Sequence, residues 1–192
     1  EQQAAMTAFS SYMNNALDFG PGFFGTIKAD YSGYHHRGPY NSAYYPHALY
    51  AASLVAYLLH DTPYALSESS LTHLKQALLT FRFFSANLNI PSGTVGRFPR
   101  GQQVLQELLP AFAYVAQSFP ETDTELTAAF KRLVRKNPDV VKSFMAEGNS
   151  DLTYTNSVGE AEAMIKLLQM DIEEESAPEG SLFMPYSGLL VV

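Results

Sequence analysis

Apolar residues recur at helical spacing along most of the 192-residue chain. Over residues 2–18, Met6, Phe9, Met13 and Leu17 fall on one side of a helix. The same period predicts further helices over about 45–60, 68–86, 102–118, 123–136, 138–147 and 158–174. The pattern therefore predicts an all-α protein in which antiparallel helices are joined by loops.

Several residues are typical of helix ends. Ser67 is placed to cap the third predicted helix, and Thr122 and Ser157 each precede a Glu by three residues, as in a capping box. Pro110 is expected to kink the helix that contains it. The acidic run 173–175 is expected to be the solvated end of the last helix.

Two long segments carry no helical period. Residues 19–44 hold five glycines, several tyrosines and two adjacent histidines, and residues 87–101 are again rich in Gly and Pro. Loops of this length are uncommon inside compact domains and are usually functional. Each follows a predicted helix, so antiparallel packing can bring both loops to the same end of the helical array.

The two ends of the chain suggest that it was cut from a longer protein. Its first residues already have helical character, and residues 181–192 have the pattern of an extended strand that stops without a closing turn. We therefore divide the chain into a helical domain over 1–180 and, over 181–192, the start of a β-domain whose remainder is missing.

Composition excludes several classes of protein. Apolar residues make up 46% of the chain and charged residues only 16%, which excludes a disordered chain and a coiled coil. Without cysteine, the chain has neither a disulfide framework nor a thiolate metal site. No stretch reaches the roughly 18 apolar residues of a membrane span, and no signal peptide is visible, so we expect no membrane partner.

Charge is distributed unevenly. The net charge is −7, but residues 19–101 carry a net charge of +3 and all five histidines. A protein that is acidic overall is a poor binder of nucleic acid, so we expect no such partner. The basic segment can still hold an anionic ligand locally, although chance scatter of charges explains the asymmetry equally well.

Segment 34–45 concentrates titratable side chains. Imidazole and phenol groups can both move protons, and Arg can hold a carboxylate at two points. Arg97 and Arg100 in the second loop stand among Gly and Pro, which leaves room for a ligand to approach the backbone. Each signal also has an ordinary structural interpretation, as surface His, packed Tyr or solvated Arg.

Other kinds of site have less support. The chain has no Gly-x-Ser-x-Gly elbow, no phosphate-binding loop and no His-Glu-x-x-His helix. His35 and His36 are adjacent, so their side chains need not converge on a metal. A glycosidase needs two carboxyl groups, and this region offers only Asp30 and Asp61. We expect neither a metal nor a cofactor.

A set of segments carries a resemblance to a known family. They are Ile27 to Asp30, Tyr34 to Gly38, Tyr40 and Tyr44, the helix from Ala52 to Pro63, the loop from Pro91 to Pro99, and Pro178 to Gly188. Together they resemble the catalytic region of family 8 polysaccharide lyases, nearest to the chondroitin sulfate ABC lyase branch. The similarity is strong over about 27–100 and weak after that.

The resemblance implies a fold and an activity. It implies an incomplete (α/α) toroid, with β-sandwich domains as partners in the parent chain, in a periplasmic or secreted enzyme. It also implies β-elimination of uronic-acid glycosaminoglycans such as chondroitin sulfate, dermatan sulfate or hyaluronan, with an anionic polysaccharide as the substrate.

The resemblance also carries over residues. His36 matches the family's catalytic His, and Arg97 matches its catalytic Arg. An ungapped alignment from His36 puts Ala43 at the position of the catalytic Tyr, whereas alignment from the next helix puts Tyr44 there. We expect Tyr44, with Tyr45 as the reserve.

Residues near these three are expected to contact the substrate, namely His35, Arg37, Tyr40, Tyr45 and Arg100. The family also uses a Glu from the β-sandwich, a segment that this chain does not include. The branch's His just after the catalytic Arg is Phe98 here.

The implied mechanism begins with neutralisation of the uronate carboxylate by His36 and Arg97, which lowers the energy of a carbanion-like transition state. Tyr44 would take the C5 proton, protonate the departing O4, or do both, and His36 could instead be the base for one uronate epimer. The alternatives are a non-catalytic α-helical glycan-binding module and a purely structural helical scaffold.

Three expectations concern the chain as a piece. The 192 residues alone should be inactive or nearly so, because a site split between domains needs both sides in position. Helix 2–18 and the tail 181–192 should expose apolar surface. His36, Tyr44 and Arg97 should meet in one cleft.

Overall fold

The computed structural model describes residues 1–95, 104–145 and 159–192. The described helices are α1 (Gln2–Leu17), α2 (Tyr44–Leu59), α3 (Glu68–Phe84), α4 (Val104–Glu107), α5 (Leu109–Ser118), α6 (Thr124–Lys136), α7 (Val140–Met145) and α8 (Glu160–Gln169), with a 3₁₀ turn at Ser92–Thr94. Two antiparallel hairpins join β1 (Tyr34–His35) to β2 (Gly38–Pro39) and β3 (Leu182–Met184) to β4 (Leu189–Val191). The mostly helical architecture agrees with the predicted all-α class, and closure into a toroid stays a prediction.

Helix α5 lies at the centre of the core. All its residues except Gln117 are buried, because its sequence is apolar on every side and such a helix is stable only when it is surrounded. It packs against α2, α3, α6 and α8. This arrangement fixes the direction of α2, whose first residue is Tyr44.

The predicted helix over 102–118 is two helices in the described part. α4 ends at Glu107 and α5 begins at Leu109, so the chain breaks before Pro110 instead of kinking at it. Pro110 occupies the second position of α5, where a helix makes no hydrogen bond with that N–H group.

The predicted caps have mixed outcomes. Ser67 caps α3 as predicted, with its side chain accepting the N–H of Ser70 at 3.2 Å. The cap of α6 is Asp123 and not Thr122, because the Asp123 carboxylate accepts the N–H of Leu126 at 2.9 Å and its charge suits a helix N-terminus. Ser157 lies outside the described residues.

The prediction for the acidic run 173–175 was wrong. Helix α8 ends at Gln169, and the chain then lies extended against α6, with the Glu175 N–H donating to the Ala128 carbonyl at 3.2 Å. A Glu175 oxygen lies 3.3 Å from the Arg82 guanidinium, and Glu174 pairs with Arg135. Arginines on α3 and α6 therefore hold the run against the protein, an attraction that the run's own sequence does not reveal.

The tail does close on itself, contrary to the prediction. Pro185 to Gly188 form a turn between β3 and β4, and Gly188 adopts a φ of +68° that suits a residue without a side chain. Met184 on β3 is fully buried and belongs to the hydrophobic core. The assignment of 181–192 to a β-sandwich stays a prediction.

Among the described residues, no helix combines the length and the apolar character that crossing a bilayer requires.

Candidate active site

The β1–β2 hairpin carries two of the predicted site residues in a strained turn. His36 and Arg37 form its two-residue loop with φ angles of +52° and +65°. A turn with positive φ at both central positions normally takes Asn or Gly, and left-handed backbone costs other residues about 1–2 kcal/mol each. Such conformations persist where surrounding structure holds them and cluster at functional sites.

Four aromatic rings meet beside this turn. The His35 ring stacks on the Tyr44 ring with centroids 4.1 Å apart. The His36 ring meets the Tyr44 ring edge-on at 5.0 Å and the Tyr40 ring at 5.8 Å. Tyr40 and Tyr44 lie 5.1 Å apart. The rings of His35, His36, Tyr40 and Tyr44, which we call the ring cluster, thus bring four predicted site residues together.

The ring cluster lies at the protein surface. His35, His36 and Arg37 are exposed, and Tyr44 retains 37% of its accessible surface. Tyr44 is the first residue of α2, so the hairpin and the start of this helix form the cluster between them. The two imidazoles and the Tyr44 phenol are open to solvent and can donate, accept and transfer protons with a bound ligand.

Tyr45 has a different environment from Tyr44. It is buried to 1% exposure, and its hydroxyl donates to the Tyr31 carbonyl at 2.7 Å. Burial raises the pKa of this phenol, and the charge of Asp30 adds to the effect. A Cβ on Gly33 would overlap the Tyr45 ring, so only glycine lets the chain pass there. The Tyr45 ring therefore packs against the backbone at Gly33, just before the β1–β2 hairpin.

Lys28 holds the loop before the hairpin. Its ammonium donates to the carbonyls of Gly20 at 3.1 Å and Gly22 at 2.8 Å, and to that of Phe24. It also lies 4.8 Å from the centre of the Tyr34 ring, a cation–π distance. Burial lowers the pKa of Lys28, which the charge of Asp30 opposes. Apart from the position of Lys28 in the family-like run, nothing in the residue pattern indicates this role.

The second loop approaches the same end of α2. The Ser42 hydroxyl donates to the Val95 carbonyl at 2.6 Å, which joins the segment before α2 to the segment after α3. This contact agrees with the expectation that the two loops lie at one end of the helical array. The catalytic candidate Arg97, the substrate-contact candidate Arg100 and Phe98 lie outside the described residues.

Two buried polar atoms belong to a member of the ring cluster, Tyr40, and to the residue that follows it, Asn41. The Tyr40 hydroxyl and the Asn41 amide oxygen have no hydrogen-bond partner among the described residues, and Asn41 is 1% exposed. One turn beyond Tyr44 along α2, burial lowers the pKa of His47, which favours its neutral imidazole. Neither Asn41 nor His47 was singled out from the sequence, because a polar residue beside a Tyr-rich run has no distinctive spacing.

In the part of the chain that the structure describes, no three His, Asp or Glu side chains gather as the ligands of a metal ion would. A cavity of about 630 Å³ lies at the far end of α2, lined among others by His60, Asp61 and Gln117. None of the predicted site residues within the described ranges lines it.

Comparison with known proteins assigns the family. The sequence model described as "Lyase, catalytic" matches residues 1–139. The chain is 27% identical over 189 residues to the chondroitin sulfate ABC exolyase of Bacteroides thetaiotaomicron, with 97% of this chain and 18% of the relative covered.

Two proteins of Proteus vulgaris are similar as well. The chain is 31% identical over 140 residues to a chondroitin sulfate ABC exolyase, covering 71% of this chain and 14% of the relative. It is 30% identical over 114 residues to a chondroitin sulfate ABC endolyase, covering 59% of this chain and 11% of the relative. The chain thus spans less than a fifth of the length of these curated relatives. The predicted resemblance is confirmed: the chain belongs to the family 8 polysaccharide lyases, whose catalytic region it matches.

Proposed function

We propose that the full-length protein cleaves uronic-acid glycosaminoglycans by β-elimination, with chondroitin or dermatan sulfate or hyaluronan as substrate. The observation that carries this proposal is the contact between the His36 and Tyr44 rings, 5.0 Å apart on an exposed surface. Each can transfer a proton, and a proton must leave C5 and another must reach O4 when a uronate is eliminated. The similarity to chondroitin sulfate ABC lyases supports the substrate class.

The reaction proceeds in three chemical events. His36 donates a hydrogen bond to the uronate carboxylate, which stabilises the negative charge that develops when C5 loses its proton. The Tyr44 oxygen removes the C5 proton, the C4–O4 bond breaks, and a C4–C5 double bond forms. A proton from the same phenol, or from a neighbouring group, neutralises the departing O4. His36 serves as the base in its place for the uronate epimer whose C5 proton faces the other way.

Arg97 completes the neutralisation of the carboxylate in this proposal. It follows Val95 by two residues in the sequence, and Val95 is joined to Ser42 just before α2. Arg guanidinium suits a carboxylate because it binds both oxygens at once.

The remaining groups around the ring cluster bind the polysaccharide. His35, Arg37 and Tyr40 contribute from the hairpin side, and Arg100 from the second loop. His35 and Arg37 are exposed on the same turn as His36. Tyr45, one of the expected substrate contacts, is buried beneath the hairpin, so its part in binding is to support Gly33 and the strands above it.

The proposal extends to the surroundings of this chain. The helices form part of an (α/α) toroid, β-sandwich domains of the same protein supply a further acidic group, and the enzyme is periplasmic or secreted. The 192 residues alone then lack one wall of the cleft and are inactive or nearly so. The length of the relatives, more than five times that of this chain by the covered share, supports this division.

Incubation of the full-length protein with chondroitin sulfate tests the proposal. Elimination leaves a C4–C5 double bond at the new non-reducing end, which absorbs ultraviolet light, whereas hydrolysis produces no such bond. Rising absorbance with shortening of the chains supports a lyase. Glycan binding without any cleavage would point to a binding module, and neither binding nor cleavage would leave a structural role for the helices.

A further inference from the structure

The turn between β3 and β4 is attached to the base of the β1–β2 hairpin through one residue. The Tyr186 N–H donates to an Asp30 carboxylate oxygen at 2.8 Å. The Tyr186 carbonyl accepts the Tyr34 hydroxyl at 2.6 Å. Both backbone polar groups of Tyr186 are therefore used in contacts with a segment more than 150 residues earlier in the chain.

The two partners of Tyr186 are themselves fixed. The other Asp30 oxygen accepts the Ser32 N–H at 3.0 Å and the Ser32 hydroxyl at 2.6 Å, so both carboxylate oxygens have partners. The Tyr34 N–H donates to the Thr26 carbonyl at 3.1 Å, and the Lys28 ammonium lies 4.8 Å from the Tyr34 ring centre. Asp30 and Tyr34 are thus each held by further contacts of their own.

The β1–β2 hairpin needs such support. Each strand has two residues, and an isolated hairpin of this size is not stable in water. Its turn residues His36 and Arg37 both have positive φ. Tyr34 is the first residue of β1 and lies two positions before His36, so a shift of Tyr34 is transmitted directly to the imidazole.

We propose that Asp30, Tyr34 and Tyr186 form a clamp by which the C-terminal hairpin, made of β3 and β4, positions His36 for elimination. Tyr34 and Asp30 are positioning residues that act through the hairpin and do not touch the reacting atoms. The kinetic consequence of the clamp rests on the proposed lyase function. A displacement of about 1 Å at a catalytic group reduces rates by as much as about a hundredfold.

Tyr34→Phe in the full-length protein tests the clamp. The substitution keeps the ring and its contact with Lys28 and removes only the hydroxyl that reaches Tyr186. We expect kcat on chondroitin sulfate to fall about tenfold while KM stays nearly constant, because binding groups remain in place and only the alignment of His36 changes. Tyr12→Phe is the matched control, since Tyr12 lies on α1 with 75% of its surface exposed, and it should retain the wild-type kcat.

Asp30→Asn gives an independent test of the same clamp. It puts an amide in place of the carboxylate that accepts from both Tyr186 and Ser32, and it should lower kcat with little effect on KM. Because both residues hold one Tyr186 backbone, the double variant should lose less than the product of the two single losses. A lower melting temperature with unchanged kcat and KM in both single variants would overturn the proposal.

Hydrogen exchange separates failure of the clamp from failure of the proposed function. If neither the wild type nor any variant cleaves a glycosaminoglycan by elimination, the lyase proposal is wrong. The clamp is then tested by amide hydrogen exchange alone. Faster exchange at Tyr186 and over residues 34–39 in Tyr34→Phe, but not in Tyr12→Phe, would support the attachment. Unchanged exchange there would overturn it.

Discussion

Tyr44 and Tyr45 show how two adjacent identical side chains acquire different roles. Tyr44 faces solvent within the ring cluster, and Tyr45 is buried with its hydroxyl bonded to the Tyr31 carbonyl. The difference arises because consecutive residues on a helix point about 100° apart, so one faces the hairpin's outer side and the other faces the core. From the sequence, Tyr44 was the expected catalytic tyrosine and Tyr45 the reserve, since alignment from α2 reaches Tyr44 whereas ungapped alignment from His36 reaches Ala43.

Tyr45→Phe should destabilise the protein. The variant keeps the ring beneath Gly33 and removes one hydrogen bond, which leaves the Tyr31 carbonyl without its donor. We expect the free energy of unfolding, measured with urea, to fall by about 1 kcal/mol. Its loss of turnover should be smaller than that of Tyr44→Phe. A larger loss of turnover than in Tyr44→Phe would exchange the roles of the two tyrosines.

Arg37 provides a test of the strained turn. With φ at +65°, a residue carrying a Cβ is strained and glycine is not. Arg37→Gly should therefore be more stable to urea than Arg37→Ala by about 1 kcal/mol, although both lose the same guanidinium. Equal stability of the two variants would mean that the turn is not left-handed at this position in solution.

At the scale of elements, the helical period predicted most of the helices because each buries one stripe of apolar residues. α1, α2, α3 and α6 begin and end within about two residues of the predicted bounds. The period could not predict where the chain leaves α8, since the extended segment is held by arginines from α3 and α6 that are distant in sequence. The apolar pattern also did not predict the turn at Pro185 to Gly188, because apolar residues on both sides of it resemble one continuous strand.

The segment after α8 has a testable electrostatic consequence. Burial raises the pKa of Glu175, while Arg82 and Arg132 oppose the shift. The folded protein therefore binds this proton more tightly than the unfolded chain does. The stability that the protonated carboxyl contributes is fully present below the ordinary Glu pKa of 4.5. It is lost as the pH rises through the raised pKa of the folded state.

Glu175→Gln cannot ionise and should remove this dependence. As the pH rises from 4.5 towards neutrality, the free energy of unfolding of the wild type should fall relative to that of Glu175→Gln. Urea unfolding of both proteins across this range measures the difference. Glu179→Gln, at an exposed position in the same segment, is the control and should run parallel to the wild type. If the free energies of unfolding of Glu175→Gln and the wild type changed in parallel with pH, the Glu175 carboxyl would not be buried as the structure has it.

Across the described residues, exposed apolar side chains lie on α1 and on the β3–β4 hairpin, and also at Phe23 and Phe24 in the loop after α1. Phe9 and Tyr12 on α1 are 41% and 75% exposed, and Phe183 and Leu190 on the C-terminal hairpin are 65% and 64% exposed. Exposure on α1 and on the tail was expected from the sequence, because both were expected to pack against parts of the protein beyond this chain; the exposure of Phe23 and Phe24 was not expected. The ring cluster could be predicted only through the family resemblance, since the contact of His36 with Tyr44 depends on a turn whose residues are not typical of it.

The exposed apolar groups predict association of the isolated chain. The 192-residue protein should form larger species as its concentration rises and should bind a dye that reports apolar surface. Replacement of Phe183 and Leu190 by Ser should reduce both effects, whereas replacement of the exposed Thr7 on α1 by Ser should change neither. A chain that stays monomeric over a wide concentration range and binds no dye would contradict this prediction.

Tyr44→Phe in the full-length protein tests whether the contact of His36 with Tyr44 is the centre of a uronate elimination. The measurement is the rate of appearance of unsaturated uronate from chondroitin sulfate, with binding of the polysaccharide measured on the same preparations and Tyr12→Phe as the control. We expect Tyr44→Phe to lower turnover by about a hundredfold or more while binding stays nearly intact, because the ring and its stacking on His35 remain and only the proton-transferring hydroxyl is lost. Turnover at the wild-type rate in Tyr44→Phe would show that the Tyr44 hydroxyl does not transfer a proton in the reaction.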